Sequence, residues 1–131
     1  NASRARRCLI PCSGFYEWSK DLEGNKIPWF ISRNDNAPMV FGGVWQEWSD
    51  ESGKTKTCAI VTTASNSNLS KIHHRLPLVL ERSDWGLWLG EEGHGASVLM
   101  KPTDDETLRA YRVSKNINSN RSSGPDLMSP I

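Results

Sequence analysis

Extended segments dominate the pattern of apolar and polar positions along the chain. Runs of β-branched and aromatic residues alternate with clusters of Gly, Pro, Asn, Asp and Ser, which favour turns. The predicted strands are residues 8–20, 27–33, 39–48, 57–64, 76–81 and 107–114. The apolar run at 57–64 is typical of a buried strand. Gly42 and Gly43 indicate either a bulge or a close approach of another backbone segment.

Helical signals are few and short. Short helices are predicted at residues 65–74, 83–89 and 95–100, the last ended by Pro102, and the polar tail 116–131 is too poor in apolar residues for regular structure. Together with the strands, this pattern predicts a β-rich α+β domain. We expect curved antiparallel sheets that form an open, barrel-like core with a few short helices.

Length and composition fit one domain over residues 1–131. The formal net charge is +1, so charge alone does not indicate nucleic acid or membrane, and no apolar run is long enough to span a bilayer. The three cysteines, Cys8, Cys12 and Cys58, cannot all pair with one another, and no CxxC motif occurs. We therefore expect a soluble protein of a reducing, cytoplasmic compartment.

The beginning of the chain is unusual. It lacks an initiator Met, so residues 1–3 are read as a tag remnant or a truncation point, and part of the domain is expected to be absent. Arg4, Arg6 and Arg7 form a local basic arm. Such an arm favours phosphate contact, and a solvated chain start is the alternative.

One carboxylate, Glu17, interrupts the aromatic run of Phe15, Tyr16 and Trp18. In a strand, alternation places Phe15 and Glu17 on one face and Tyr16 and Trp18 on the other. A carboxylate with apolar neighbours loses hydration, which favours its protonated form and suits it to proton transfer. A glutamate on an edge strand that extends into water is the alternative interpretation.

A second candidate group lies at residues 71–80, where His73, Arg75 and Pro77 occur within five positions. An imidazole and a phosphate-binding guanidinium suit a nucleic acid or another phosphate-bearing substrate. In extended backbone His73 and His74 are expected to point in opposite directions, and no Cys or carboxylate stands at ligand spacing, so no zinc site is expected. A structural hydrogen-bonding role is the alternative for His73.

Six segments carry a family resemblance. They are RRCLIPCSGFYEW, PWFI, FGGVWQEW, AIVTTAS, IHHRLPLVL and VSKNINSNRSSGPDLMSPI. In order and spacing they resemble the SRAP family of SOS-response-associated, or abasic-site-processing, proteins, from Arg6 to the C-terminus. The arginine-rich lead into CLIP, the GFYEW block and the IHHRLP block are specific together, although each alone is a weak signal.

The resemblance implies an enzyme of the DNA damage response. Family members use a cysteine at the mature N-terminus to trap the ring-opened aldehyde of an abasic site in single-stranded DNA. The α-amine forms an imine and the thiol then closes a thiazolidine, which gives a DNA–protein cross-link. Members also release their own N-terminal residue, hence the description as peptidases.

The resemblance also implies roles for individual residues. Glu17 resembles the family's acid–base glutamate, and His73 resembles its active-site histidine beside the sugar and its phosphate. The positions assigned to DNA contact are Arg75, Trp18, Thr62, Arg6, Arg7 and Pro11. No cofactor and no metal are implied. The expected protein is a monomer that binds abasic single-stranded DNA, in the cytoplasm of a bacterium near its nucleoid or in a eukaryotic nucleus.

The chain departs from the family pattern at its start. The family's Cys-Gly-Arg segment is not found, and Asn1-Ala2 resembles the family's Asn-Ala-Arg motif only until Ser3. The family cysteine needs a free α-amine, which an internal cysteine cannot supply. We therefore expect this fragment to lack the nucleophile and not to cross-link DNA alone.

Two other functions stay open. One is a cysteine-dependent hydrolase or peptidase in which His73 activates Cys12 as a thiolate; a small, buried apolar role is the alternative for this thiol. The other is a non-enzymatic single-stranded DNA-binding module. It would stack bases on Trp18, Trp45 and Trp48, unless these rings fill the core.

Overall fold

Antiparallel strands make up most of the regular structure. The computed structural model describes residues 6–131. The strands are β1 (Arg7–Cys12), β2 (Phe15–Lys20), β3 (Lys26–Arg33), β4 (Met39–Asp50), β5 (Gly53–Ile60), β6 (Thr62–Ala64), β7 (Arg75–Pro77) and β8 (Leu108–Arg112). A short helix, α1, spans Trp85–Leu89, and 3₁₀ helices span Arg82–Asp84, Ala96–Leu99, Lys115–Asn118 and Pro125–Met128. The predicted β-rich α+β class is confirmed. In this part of the chain no helix is long and apolar enough to cross a membrane.

The strands form three small sheets. The first sheet has the order β1-β4-β5, the second has the order β2-β3-β8, and β6 pairs with β7. The segment that follows β7 joins the first sheet, because the Gly42 N–H donates to the Leu78 carbonyl at 2.9 Å and the Leu80 N–H donates to the Val40 carbonyl at 2.9 Å. These bonds connect the sheet of β6 and β7 to the first sheet, which agrees with the predicted open, barrel-like arrangement of antiparallel sheets.

A buried apolar cluster, here called the inner core, joins the first and second sheets. It consists of Ile31, Met39, Phe41, Leu69, Ile72, Leu76, Val79 and Leu108. Phe15 of β2 packs against it, and its ring meets that of Phe41 edge-on at a centroid distance of 5.6 Å. Removing these side chains from water is the main favourable contribution to holding the two sheets together.

The opposite face of the first sheet packs against α1. The Trp88 indole N–H of this helix donates to the Cys8 carbonyl at 3.0 Å. The helix lies this close because Gly42 has no side chain: a Cβ there would be 3.0 Å from Leu78 Cδ2 and 3.1 Å from the Trp88 ring. The β1–β4 register is continuous through Gly42 and Gly43. Of the two interpretations of these glycines, the close approach is confirmed and the bulge is wrong.

The outer face of the second sheet is covered by the C-terminal segment. Tyr16, Phe30 and Tyr111 form an aromatic row on this face, with centroid distances of 5.3 and 5.7 Å. The Tyr111 hydroxyl donates to the Met128 carbonyl at 2.6 Å. The tail is therefore anchored to β8, although its short 3₁₀ helices contain few apolar residues.

Several local predictions are corrected. Residues 65–74 form successive turns instead of a helix. The predicted buried strand at 57–64 is divided, and its first part is exposed because β5 lies at a sheet edge and pairs with β4 alone among the described strands. Residues 1–5, which include the expected tag remnant and Arg4, lie outside the described residues.

Replacing Gly42 with alanine tests the close packing of α1 on the sheet. Leu78 and Trp88 are 1% and 2% exposed, so neither can move away from the new methyl group. We expect Gly42→Ala to lower the free energy of unfolding by about 1–3 kcal/mol, measured by urea denaturation. Thr57→Ala on the exposed strand β5 is the control, with an expected change within about 0.5 kcal/mol. Equal stability of the two variants would show that the helix does not rest on Gly42.

Candidate functional site

Two predicted site residues meet on the β6–β7 pair. The Arg75 Nη2–H group donates to the Thr62 carbonyl at 2.8 Å and to its hydroxyl oxygen at 3.1 Å, and Nε donates to the same hydroxyl at 3.2 Å. These bonds fix the direction of the guanidinium. Arg75 is nevertheless exposed, so the remaining N–H groups of its guanidinium face solvent. A guanidinium in this position has the geometry to pair with an anion such as phosphate.

The imidazole ring of His73 contacts the backbone of Arg75. Its Nδ1 atom lies 2.8 Å from the Arg75 carbonyl oxygen. The Arg75 backbone nitrogen lies 3.2 Å from the same Nδ1 atom. The first contact is a hydrogen bond when Nδ1 carries the proton and the second when it does not, so both neutral tautomers are compatible with this geometry. Nε2 has no hydrogen-bond partner within residues 6–131 and is the atom left to contact a ligand.

The two adjacent histidines are stacked. The rings of His73 and His74 have centroids 4.7 Å apart and planes inclined by 19°. The prediction that they point in opposite directions is wrong, because they follow a turn and do not belong to a strand. Between residues 6 and 131, no three His, Cys, Asp or Glu side chains are grouped as metal ligands.

A turn at residues 67–72 leads into His73, and Asn66 holds its first end. The Asn66 Oδ1 atom accepts the Leu69 N–H at 2.9 Å, and its carbonyl accepts the Ser70 N–H at 3.0 Å. Asn66 is 5% exposed, and its Nδ2 group has no partner within the described part of the chain. The side chain thus acts as a buried cap of the turn.

Further hydrogen bonds fix the rest of the turn. The Ser65 hydroxyl donates to the His73 carbonyl at 2.7 Å, and the Ser65 N–H donates to the His74 carbonyl at 3.0 Å. On the other side, Asp105 accepts the Ser67 N–H at 3.0 Å and the Ser67 hydroxyl at 2.6 Å. His73 is therefore held in place by its own loop and by the segment before β8.

Glu17 lies at the margin of the inner core. The β2–β3 register places it opposite Trp29, on the face that also carries Phe15 and Ile31. Phe15 and Trp29 pack against the inner core, and Ile31 belongs to it. Glu17 itself is half-buried, and its Oε1 atom accepts the N–H of Trp18 at 3.2 Å.

Glu17 and His73 belong to elements that contribute to the same apolar cluster. Phe15 and Trp29 reach the cluster from the strand face of Glu17, and Ile72, the chain neighbour of His73, is part of it. Across the described range 6–131, no hydrogen bond or ion pair joins Glu17 to His73. The acid and the imidazole are thus linked through the elements that carry them and not through a bond of their own.

Arg6 and Arg7, the described part of the arginine arm, pack on tryptophans. The Arg6 guanidinium lies over Trp45 at 5.7 Å from the ring centroid. Arg7 lies over Trp88 at 5.5 Å, and its Nε–H donates to the Trp88 carbonyl. Arg7 therefore stands on the helix side of the first sheet, and these cation–π contacts give both arginines a structural role.

Trp18 and Pro11 also lie outside the His73 group. The Trp18 indole N–H donates to Asn118 Oδ1 at 2.6 Å, on the outer face of the second sheet and opposite the face of Glu17. Pro11 is exposed on β1, where it pairs with Val40. The structure thus brings Thr62, His73 and Arg75 together and leaves the other predicted DNA-contacting residues elsewhere. Their DNA contacts stay predictions.

The cysteines are free thiols, and Cys12 lacks the surroundings of a nucleophile. It packs against the inner core, and burial raises its pKa more than the hydrogen bond from the Gly14 backbone lowers it. A higher pKa means less thiolate at neutral pH. This environment argues against the Cys12–His73 hydrolase and favours an apolar packing role.

Sequence reasoning missed three residues near the site: Trp29, Asn66 and Arg112. Trp29 could have been predicted from the sequence. The short connection at 21–25 sets the register of the β2–β3 hairpin, and this register places Trp29 opposite Glu17. Asn66 had the signal of a capping residue but was assigned to a helix. Arg112 stands opposite Trp29 only through the β3–β8 pairing of distant segments, for which the sequence carries no local signal.

Comparison with known proteins agrees with this architecture. A solved protein of Bacteroides thetaiotaomicron superposes with a TM-score of 0.90 at 28% identity, over 99% of this chain and 59% of the other. The abasic site processing protein YoaM of Bacillus subtilis is 32% identical over 128 residues, which cover 95% of this chain and 56% of YoaM. The abasic site processing protein HMCES of Pongo abelii is 28% identical, over 98% of this chain and 44% of HMCES.

Residues 1–120 match the SOS response associated peptidase (SRAP) family. The chain belongs to this family, and the predicted resemblance is confirmed. It spans little more than half the length of YoaM. The Thr62–His73–Arg75 group and the Glu17 strand both lie inside the matched part.

Removing the Asn66 cap tests how the His73 turn is held. We expect Asn66→Ala to lower the free energy of unfolding by about 1 kcal/mol, because the Leu69 N–H loses its acceptor, while Asn66→Ser keeps an uncharged acceptor and stays closer to the parent. Urea denaturation measures both. Lys71→Ala, an exposed position of the same turn, is the control. If Asn66→Ala is as stable as Lys71→Ala, the cap does not hold the turn.

Alkylation tests the reactivity of Cys12. At pH 7 we expect iodoacetamide to label exposed Cys58 much faster than Cys12, because Cys12 is partly buried and its pKa is raised. Peptide mass spectrometry over a time course gives both rates in one sample. Faster labelling of Cys12 than of Cys58 would restore the hydrolase interpretation.

Proposed function

We propose that this chain supplies the acid–base and DNA-contacting part of a protein that processes abasic sites in single-stranded DNA during the DNA damage response. The observation that carries this proposal is the Thr62–His73–Arg75 group, together with the position of Glu17 on a strand face whose apolar residues pack against the inner core. The names of the related YoaM and HMCES proteins support the substrate. The site is expected to act in the cytoplasm or the nucleus, where DNA lies.

Each side chain has a distinct task in this proposal. Glu17, half-buried beside apolar side chains, delivers a proton to the ring oxygen of the abasic sugar and later recovers it. His73, whose Nδ1 atom is held by the Arg75 backbone, presents Nε2 to the sugar or its phosphate. Arg75, oriented by Thr62, binds a phosphate through its exposed N–H groups.

The bond-forming chemistry requires an N-terminal cysteine. Its α-amine condenses with the ring-opened aldehyde to an imine and releases water, and its thiol then adds across the C=N bond to close a thiazolidine. Cys8, Cys12 and Cys58 are internal and have no free α-amine, so none of them can form this ring. A cysteine N-terminal to this chain would have to supply it, and release of the preceding residue would expose its amine.

Changing Glu17 to glutamine tests the acid–base assignment. In a full-length protein that joins an N-terminal cysteine segment to this chain, we expect Glu17→Gln to slow adduct formation with abasic single-stranded DNA by about 10²–10⁴-fold. The amide keeps the shape of the side chain but cannot transfer the proton. Denaturing gel electrophoresis over time measures the adduct.

Glu47→Gln, on exposed β4, is the matched control and should react at the parent rate. An unaltered rate in Glu17→Gln would return Glu17 to the role of a solvated strand residue. Failure of the unmodified full-length protein to form any adduct would refute the proposed covalent chemistry itself.

A further inference from the structure

A row of three side chains crosses the second sheet at the position of Glu17. The β2–β3 register places Glu17 opposite Trp29, and the β3–β8 register places Trp29 opposite Arg112. Residues that face each other across antiparallel strands project to the same side of the sheet. An acid, an indole and a guanidinium therefore stand side by side.

The neighbours of Arg112 on β8 show which side this is. Leu108 belongs to the inner core and Ala110 packs against it, whereas Tyr111 joins the outer aromatic row. Alternation along the strand then directs Arg112 to the side of Leu108 and Ala110. This is also the side on which Glu17 borders the inner core.

The Arg112 guanidinium is free to bind a ligand. Arg112 is exposed, and within residues 6–131 its side chain has no hydrogen-bond or ion-pair partner. Arg109, on the opposite face of the same strand, differs: its Nη2–H donates to Asn36 Oδ1 at 2.6 Å and its Nε donates to Ser32 Oγ at 3.3 Å. One arginine of β8 thus holds the fold together, and the other does not.

The distances suit a nucleotide. Strands about 4.8 Å apart separate the backbones of Glu17 and Arg112 by about 10 Å, with Trp29 between them. A sugar beside Glu17 can lie along the indole while its neighbouring phosphate meets the guanidinium. A carboxylate at a DNA site also repels phosphates, and a cation in the same row offsets that repulsion.

We infer that Arg112 is a phosphate-binding residue of the Glu17 site, which holds the DNA backbone next to the abasic sugar across Trp29. This inference rests on the proposed function and adds a second phosphate contact on a different sheet from Arg75. The sugar–phosphate backbone of the DNA is then bound on two sides of the reacting sugar. Arginine suits the task because its planar guanidinium pairs with two phosphate oxygens at once.

Equilibrium binding of an unreactive substrate tests this assignment. The probe is a fluorescent single-stranded oligonucleotide with one tetrahydrofuran abasic analogue, which cannot form an aldehyde. We expect Arg112→Gln in this chain to weaken binding about tenfold in fluorescence anisotropy. A plot of the logarithm of the association constant against the logarithm of the salt concentration has a negative slope. We expect this slope to become shallower by about 0.7, the value for the loss of one phosphate contact on a single strand.

Arg109→Gln is the matched control, since it removes the same charge from the same strand on the other face. We expect it to leave the salt slope unchanged, and circular dichroism verifies the folding of both variants. If the parent chain binds the oligonucleotide and both variants give the same affinity and slope, the Arg112 assignment is wrong. If the parent chain does not bind it at all, the DNA-contacting role proposed for this chain fails, and with it the inference.

Discussion

The shared inner core is the constraint on which the rest of the structure depends. Phe15 from the second sheet, Phe41 from the first and Ile72 from the turn before His73 all contribute to it or pack against it. Burying these side chains fixes the relative position of three segments that are distant in sequence. The elements that carry the candidate residues Glu17 and His73 are held relative to one another by this apolar packing.

The polar parts of the site are fixed by hydrogen bonds that the apolar core does not provide. Asn66 and Ser65 hold the two ends of the His73 turn, and Thr62 orients Arg75. A buried cap and a side-chain network restrict these groups before any ligand binds, which lowers the entropic cost of binding. Glu17 lies on a strand, which likewise restricts its backbone. The candidate residues are thus held in two separately ordered groups, Glu17 on β2 and Thr62, His73 and Arg75 at the β6–β7 pair.

The sequence was most informative where a signal is local. Alternation at Phe15–Trp18 predicted the two faces of β2, and the strands predicted at 8–20 and 27–33 leave the short connection that joins β2 to β3. The helix predicted over 65–74 failed, because Asn66 and Ser65 satisfy the backbone as a turn and the segment must fold back onto the inner core. Exposure of β5 and the position of Arg112 depend on long-range pairing. No local pattern could predict either.

A double-mutant cycle on Glu17 and His73 tests the central claim most directly. Rates of adduct formation with abasic single-stranded DNA would be measured for the full-length protein, Glu17→Gln, His73→Gln and the double variant. Groups that act on one sugar in one site are coupled, so we predict that the double variant is slowed much less than the product of the two single effects. Multiplicative effects would contradict the account, since they would show that the two side chains act independently.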